Sequence, residues 1–416
     1  MLSLSNFSEN TTEIVYQNRN NKQYKNMIFD ITDSVKYIGV DDMDLDLFES
    51  QYIIPNGISY NSYLIADEKI AIMDTADARK ADEWFANLEE ALAGRTPDFL
   101  VVHHLEPDHA GCIARLVERY PSIELVAGAK SEKMLGQFFD GIDLASRTRF
   151  VGEGDTLSLG SRTLTFLMAP MVHWPEVMVS YDDRDKIVFS ADAFGKFGAL
   201  SADEEWACEA RRYYFNICGK YGPPVQALLK KLSALDVAKI CPLHGPILEE
   251  NLGYYIGLYD TWSSYQPETE GVFIAYASIH GGTAAVAERM AEILRAKGTP
   301  KVSIADLSRD DMAEAVEDAF RYSKLLLAAA SYDGGVFPPM HDFIHHLQIK
   351  GWRNRRVGLI ENGSWGPTAG RTMRGMLEGM RDVEIVSPMV TILSRMKESN
   401  LPAMEELADA LLAENE

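Results

Sequence analysis

Hydrophobic positions follow two different rhythms along this chain. From Asp33 to about Ile187 the apolar stretches are short and β-like, at 34–40, 60–66, 69–75, 98–104 and 163–169, and helical patterns such as 81–94 interrupt them. Mixed strands followed by helices predict a sheet sandwich flanked by helices. From Gly271 onward the alternation is regular. A strand at 271–278 leads to a helix at 284–298 ending on Gly298, then a strand at 301–307; apolar strands at 325–331 and 356–362 each precede a further helix. That βαβ rhythm predicts an open parallel sheet. Between the two regions, 263–271 carries Ser, Pro, Glu and Gly and reads as a linker. The expected organisation is an α/β chain with a first domain over 27–265 and a second over 266–416. The polar, Asn-rich stretch 1–26 reads as a disordered extension, or as sequence upstream of a true start at Met27.

Composition narrows the function classes. The 416 residues are 46% hydrophobic and 25% charged, enough for more than one core at roughly 150 residues per domain. A formal charge of −22 argues against nucleic acid and anionic membranes as partners. The start has no apolar signal-peptide core, and no apolar run approaches the roughly 20 residues that span a bilayer. The expected location is cytoplasmic. Cys112, Cys208, Cys218 and Cys241 form no C-x-x-C pair, which excludes a thiolate zinc or rubredoxin-type iron site and predicts free thiols.

The densest chemistry follows the strand at 98–104. His104, Glu106, Asp108 and His109 form H-x-E-x-D-H, expected on a loop at the strand's carboxyl end, where sites collect. His173, Asp192 and His244 stand at three further strand ends. Four imidazoles and three carboxylates suffice for two metals sharing one carboxylate. With no thiolates, this donor set suits zinc, iron or manganese. His103 lies outside the pattern and reads as a supporting or merely structural residue.

The second region carries a Gly-rich strand-to-helix turn at 278–283. Ser278, His280 and Thr283 offer side-chain donors beside Ile279, and Gly281 and Gly282 let backbone N–H groups converge on an anion at a helix N-terminus. Two more loops leave strand ends, one with Ser331, Tyr332, Asp333, Gly334 and Gly335, the other with Asn362, Gly363, Ser364, Trp365 and Gly366. Tyr332 and Trp365 are suited to pack on a flat ring, with backbone N–H groups near Gly334 and Gly366 at its polar edge.

The first region resembles the metallo-β-lactamase-like superfamily, whose zinc hydrolases usually carry H-x-H-x-D-H. Glu106 replaces the second histidine, and a harder, anionic ligand favours iron. That departure is the mark of the flavodiiron proteins, or A-type flavoproteins, which the chain resembles over nearly all of 27–416, including 49–65, HLEPDH, MVHWPE (171–176), SADAFG (190–195) and CPLHG (241–245). The resemblance implies an αββα metallo-β-lactamase-like domain followed by a flavodoxin-like doubly wound sheet. It implies two iron ions per chain, one held by His104, Glu106 and His173, the other by Asp108, His109 and His244, with Asp192 bridging. It implies FMN in the second domain, although His280 and Gly282 depart from the residues common in flavodoxin phosphate loops. It further implies reduction of O2 to water and/or NO to N2O, and a separate electron donor such as rubredoxin or a flavoprotein reductase. The expected assembly is a head-to-tail homodimer or a tetramer. Two rival readings are a zinc hydrolase with an accessory flavodoxin domain and a pure electron carrier with a metal-free first domain.

Overall fold

The computed structural model describes residues 28–413, so the extension expected at 1–26 lies outside the described residues. The chain forms two compact units, 28–213 with 224–256 and 214–223 with 257–413.

The first unit is built on two sheets. One runs in the order Phe29–Asp30, Val35–Tyr37, Tyr63–Ala66, Ile70–Met73, Phe99–Val102, Glu124–Gly128, Thr148–Val151, antiparallel at its start and parallel from Ile70–Met73 onward. The other runs Thr156–Ser158, Thr163–Met168, Met178–Asp182, Ile187–Phe189, Lys239–Cys241. Side chains alternate across a strand, so each sheet can give one face to a shared core. Tyr37, Ile65, Met73, Val101 and Val126 from the first sheet meet Leu164, Phe166, Met178 and Phe189 from the second. Helix Ala81–Leu92 buries Trp84, Phe85, Leu88 and Leu92, the apolar stripe of its 3.6-residue period.

Two expected strands are each broken in two. The stretch 34–40 divides into Val35–Tyr37 and Val40–Asp42, and the second piece pairs with Ile58–Tyr60 in a separate ribbon. Gly39 permits the crossing, because a Cβ there would lie 2.4 Å from the Tyr60 carbonyl. The stretch 60–66 divides at Asn61, whose buried amide donates to the carbonyls of Pro242 (2.8 Å) and Gly245 (2.7 Å). That amide ties the turn to the segment carrying His244.

The second unit holds a parallel sheet in the order Val302–Asp306, Thr269–Ala277, Tyr322–Tyr332, Arg355–Asn362, then Val383–Ile385 and Val390–Ile392 one after the other along the last. In chain order this is 2-1-3-4-5, the flavodoxin-like winding, whose ligands sit beyond the carboxyl ends of the first and third strands. Val272 and Ile274 pack with helices Gly282–Ala296 and Leu401–Leu412 on one face. Phe273 points the other way and meets Phe343 of helix Pro338–Ile349 at 6.4 Å between ring centroids.

The stretch read as a linker is packed in this unit. Tyr265 is buried, and Trp262 Nε1 donates to Glu268 at 2.8 Å. Arg355, also buried, donates to five carbonyls: Tyr322 (2.7 Å), Tyr265 (2.9 Å), Arg353 (3.0 Å), Asn354 (3.1 Å) and Phe320. None of the four cysteines is in a disulfide among the described residues. No helix among the described residues is long and apolar enough to cross a membrane.

Candidate metal centre and flavin loops

Strand Phe99–Val102 ends just before His103, and the next seven residues build half of the first site. The segment is not loop throughout. Pro107–Ala110 forms a helical turn capped at Glu106, so Asp108 and His109 project from a helix while His104 and Glu106 precede it. Pro at the first helical position costs nothing, since its missing N–H would be unbonded there anyway.

All seven expected ligand residues converge, as two groups. His104, Glu106, His173 and Asp192 form one, and Asp108, His109 and His244 the other; within each, one donor atom per residue lies within 4.8 Å of the rest. Glu106 Oε2 is 3.1 Å from His104 Nε2 and 3.0 Å from His173 Nε2. Asp108 Oδ2 is 3.3 Å from both His109 Nε2 and His244 Nε2. Asp192 divides its oxygens between the groups. Oδ2 lies 3.4 Å from both His104 and His173, whereas Oδ1 lies 3.8 Å from His109 and 3.6 Å from His244.

The geometry fits metal better than a hydrogen-bonded polar cluster. Both oxygens of Asp108 and Oδ2 of Asp192 are buried without a hydrogen-bond partner among the described residues. Leaving such an atom unbonded costs about 1–3 kcal/mol, and more when it is charged. The Nε2 atoms of His109 and His244 point at each other 3.0 Å apart. His244 Nδ1 donates to the Ser59 carbonyl at 2.7 Å, so its Nε2 is left as a lone pair aimed into the site. His104 is set the same way, with Nδ1 2.8 Å from the Glu176 carboxylate, which can only accept.

Electrostatics agree. Burial alone would lower the His173 pKa, but the Asp192 and Glu106 carboxylates override it and hold it up at about 9. His104 is likewise raised against its burial by Asp192, Glu106 and Glu176. Burial would raise the carboxyl of Asp192, and the surrounding imidazoles hold it below its ordinary value instead. Carboxylates that draw protons onto imidazoles will draw metal cations in their place. Two non-glycine residues within two positions of expected ligands, Met171 and Ala191, have φ of 66° and 51°, a left-handed backbone costing on the order of 1–3 kcal/mol each.

His103 belongs to neither group. Its ring bridges Asp74 (2.5 Å) and Ser180 (2.7 Å) in the core. Sequence reasoning missed four neighbours. Glu176 backs His104; its signal is a carboxylate three residues after His173. Tyr213 donates its hydroxyl to Asp192 Oδ1 at 3.1 Å. Phe48 packs edge-on against His244, with ring centroids 5.5 Å apart. Glu49 follows at the tip of the same hairpin, where desolvation first and the Glu106 charge second push its carboxyl up to about 6.

The loops expected to hold a flavin gather at the carboxyl end of the second unit's sheet. Gly281 caps helix Gly282–Ala296 at φ 81°, and the side chains of Ser278 and Thr283 are buried, the Ser278 hydroxyl without a hydrogen-bond partner among the described residues. That arrangement suits an anion at a helix N-terminus. A Cβ on Gly282 would lie 2.7 Å from the Ser394 carbonyl and 3.3 Å from Asn362 Nδ2, so this glycine is required where three segments meet. The turn at Leu393–Arg395, absent from the sequence reading, therefore adjoins the loop at 278–283. Ile279 and His280 are exposed. Asp333 and Gly334 both have positive φ, 47° and 72°, and close the two-residue hairpin that pairs Tyr332 with Gly335. Ser331 Oγ accepts the N–H groups of Thr368 (2.8 Å) and Ala369 (3.1 Å), the Gly363 N–H donates to Ile392 (3.1 Å), and Ser364 pairs with Ser394 (2.9 Å). Tyr332 is 45% and Trp365 95% exposed, while Gly366 has open space around its α-carbon.

Comparison with known proteins agrees with both units. Residues 58–245 match the family model described as ODP family beta lactamase. A protein named nitric oxide reductase from Moorella thermoacetica is 28% identical over 376 residues, covering 87% of this chain and 92% of that one. The structure of rubredoxin oxygen:oxidoreductase from Desulfovibrio gigas has a TM-score of 0.86 at 24% identity, over 92% of this chain and 97% of that one. The flavodiiron protein from Giardia intestinalis has a TM-score of 0.85 at 22% identity, over 92% and 95%.

Proposed function

For a chain that belongs to the flavodiiron protein family, we propose an oxidoreductase that reduces O2 to water and/or NO to N2O at a two-iron site, with electrons reaching the irons through FMN from a separate donor protein. The observation that carries this reading is the division of the Asp192 carboxylate, one oxygen toward each ligand group. A single metal needs no such divided carboxylate. His104, Glu106 and His173 would hold one iron and Asp108, His109 and His244 the other. Glu106, a hard anionic donor, favours iron over zinc. When bound, the iron pair supplies adjacent redox centres at which one O2 or two NO molecules can be reduced. The chain's own part is to fix lone pairs: Ser59 and Glu176 each hold an imidazole in one tautomer, and Tyr213 orients the shared carboxylate.

In the second unit, Ser278, Gly281, Gly282 and Thr283 would hold the FMN phosphate dianion at the helix N-terminus. Tyr332 and Trp365 would flank the ring. Exposed aromatic side chains at a redox cofactor suit an exchange of electrons with other chains. We therefore place the donor, a rubredoxin or flavoprotein reductase, outside this chain, in the cytoplasm. The working assembly is a head-to-tail homodimer, or a tetramer of such dimers, in which the FMN of one chain serves the irons of its partner. One two-fold interface makes that exchange twice.

The test is anaerobic purification with iron and FMN quantified, then O2 and NO turnover under one reductant. Two irons and one FMN per chain with turnover of either gas support the reading. Stoichiometric zinc after growth with iron available rejects it in favour of a hydrolase, and iron and FMN without gas turnover reject the enzyme. Mixed dimers test the assembly. A chain carrying Asp192→Ala paired with a chain disrupted at Gly281, Gly282 and Thr283 should regain activity that neither homodimer has; no recovery rejects transfer between chains.

A further inference from the structure

We infer that the two metal positions are electronically unequal, and that the one formed by His104, Glu106 and His173 keeps the higher charge when the pair receives its first electron. The inference rests on the two-iron reading above. The inner donors do not create the difference. Each position has two imidazoles, one carboxylate of its own and one oxygen of Asp192. The contrast must come from what stands behind them.

Behind His104 is an anion. Glu176 is buried, 3% exposed, and its Oε1 accepts both His104 Nδ1 (2.8 Å) and the Leu105 N–H (3.1 Å). Its Oε2 has no hydrogen-bond partner among the described residues. A carboxylate behind an imidazole makes that ligand more basic and stabilises the oxidised metal. Among the described residues the second position lacks an equivalent. His244 is backed by the neutral Ser59 carbonyl at 2.7 Å, and His109 Nδ1 has no hydrogen bond among the described residues.

The shared carboxylate tilts the same way. Tyr213 donates at 3.1 Å to Oδ1, the oxygen facing His109 and His244. That bond withdraws electron density from the second position. Oδ2, facing His104 and His173, accepts no hydrogen bond among the described residues. Two other anions bear on the balance. Asp74 acts on His109 through space, but its oxygens are committed to the ring and N–H of His103, at 2.5 and 2.7 Å. Glu49 is coupled through space to Glu106 and His173 ahead of Asp108, and so weighs more on the first position. The net bias leaves the first electron, supplied by a one-electron reductant, on the iron of Asp108, His109 and His244. That iron falls from ferric to ferrous while its neighbour stays ferric.

The test is an anaerobic redox titration of the full, iron- and FMN-loaded protein with dithionite and mediators. The odd-electron iron pair is followed by electron paramagnetic resonance, apart from the narrow flavin radical line, and valence is counted by Mössbauer spectroscopy on 57Fe. Two potentials are expected, the higher for the second position. Glu176→Gln should raise the lower potential and leave the higher in place. The comproportionation constant then falls at least tenfold, about 59 mV for one electron. Tyr213→Phe should narrow the gap from the other end by lowering the higher potential, with a smaller, severalfold effect. Glu176→Asp, which keeps the charge, should recover part of the wild-type gap. Unchanged gaps in both variants, or Glu176→Gln moving only the higher potential, would overturn the inference. If Glu176→Gln fails to retain iron, Tyr213→Phe decides alone. Iron content measured first separates the two readings: no iron pair in the wild type defeats the proposed function, whereas an intact pair without these shifts defeats only the asymmetry.

Discussion

The candidate metal centre of the first unit and the proposed flavin loops of the second both stand at carboxyl ends of strands, yet they are made of opposite materials. The first is an assembly of side chains. Its seven donor residues come from four segments, are mostly buried, and are already aimed at common points before any cation is considered. The second is largely an assembly of backbone. Its glycines and helix N-terminus present N–H groups, while its aromatic side chains stand in solvent, Trp365 at 95% exposure. Metal ions need lone pairs of particular hardness at fixed distances, which only particular side chains supply. A phosphate needs converging N–H groups, which almost any sequence offers once the chain turns correctly. Side-chain deletion should therefore be catastrophic at the first site and graded at the second.

The largest effect is expected from Asp192→Ala. Both irons should be lost, with a fall in affinity beyond the roughly 10–100-fold that removing an outer partner costs, while the FMN content stays at the wild-type level. His244→Ala should chiefly empty one position. Metal analysis showing near-full iron in Asp192→Ala would remove the bridging role and much of the contrast. Next in size is the cofactor's phosphate. Riboflavin, which lacks it, should bind more than about a hundredfold more weakly than FMN, because several charge-assisted hydrogen bonds go with it. Matching affinities in a fluorescence titration would place the flavin elsewhere. Smaller still is Ser278→Ala, where one donor is lost but the backbone cradle remains. FMN should weaken about tenfold and riboflavin not at all. A loss as large as that from removing the phosphate would mean that this site too depends on a side chain. The smallest effect belongs to Trp365→Ala. At such exposure it should leave stability within about 0.5 kcal/mol by denaturant titration, with its consequences confined to flavin binding and electron exchange.

The same contrast explains what could be read from the sequence. His104, Glu106, Asp108, His109, His173, Asp192 and His244 are legible because metal chemistry admits few residue types, and each follows an apolar strand. Glu176 is half legible, as a lone carboxylate in MVHWPE, but nothing in its letters says that it faces His104. Tyr213 and Phe48 are illegible, since an aromatic residue is chosen for packing far more often than for chemistry. In the second unit the open parallel sheet is legible in the βαβ rhythm, whereas its flavodoxin-like winding was implied only by the resemblance; the loops at 278–283, 331–335 and 362–366 are legible as turns that leave strand ends. The turn at 393–395 was hidden because its strand is split into Val383–Ile385 and Val390–Ile392. The break in 34–40 was invisible because Gly39 answers to the Tyr60 carbonyl, a contact no local pattern encodes.

Arg355 carries a further lesson about how the second unit divides its labour. Its guanidinium fastens the carbonyls of Tyr265, Phe320, Tyr322, Arg353 and Asn354, all at the ends where strands enter the sheet. The flavin loops leave from the opposite ends. Alignment of the strands is thus secured by a peg that shares no atoms with the cofactor loops, much as a book is bound along one edge so that the other can open. Apart from Gly282, where a Cβ would strike the Ser394 carbonyl, residues at 278–283, 331–335 and 362–366 can be revised over evolutionary time, or by an engineer seeking another flavin or another donor, without touching the contacts of this spine. Lysine could not take over the binding. It has three donors on one rotating nitrogen, where the fixed planar fork of arginine offers five.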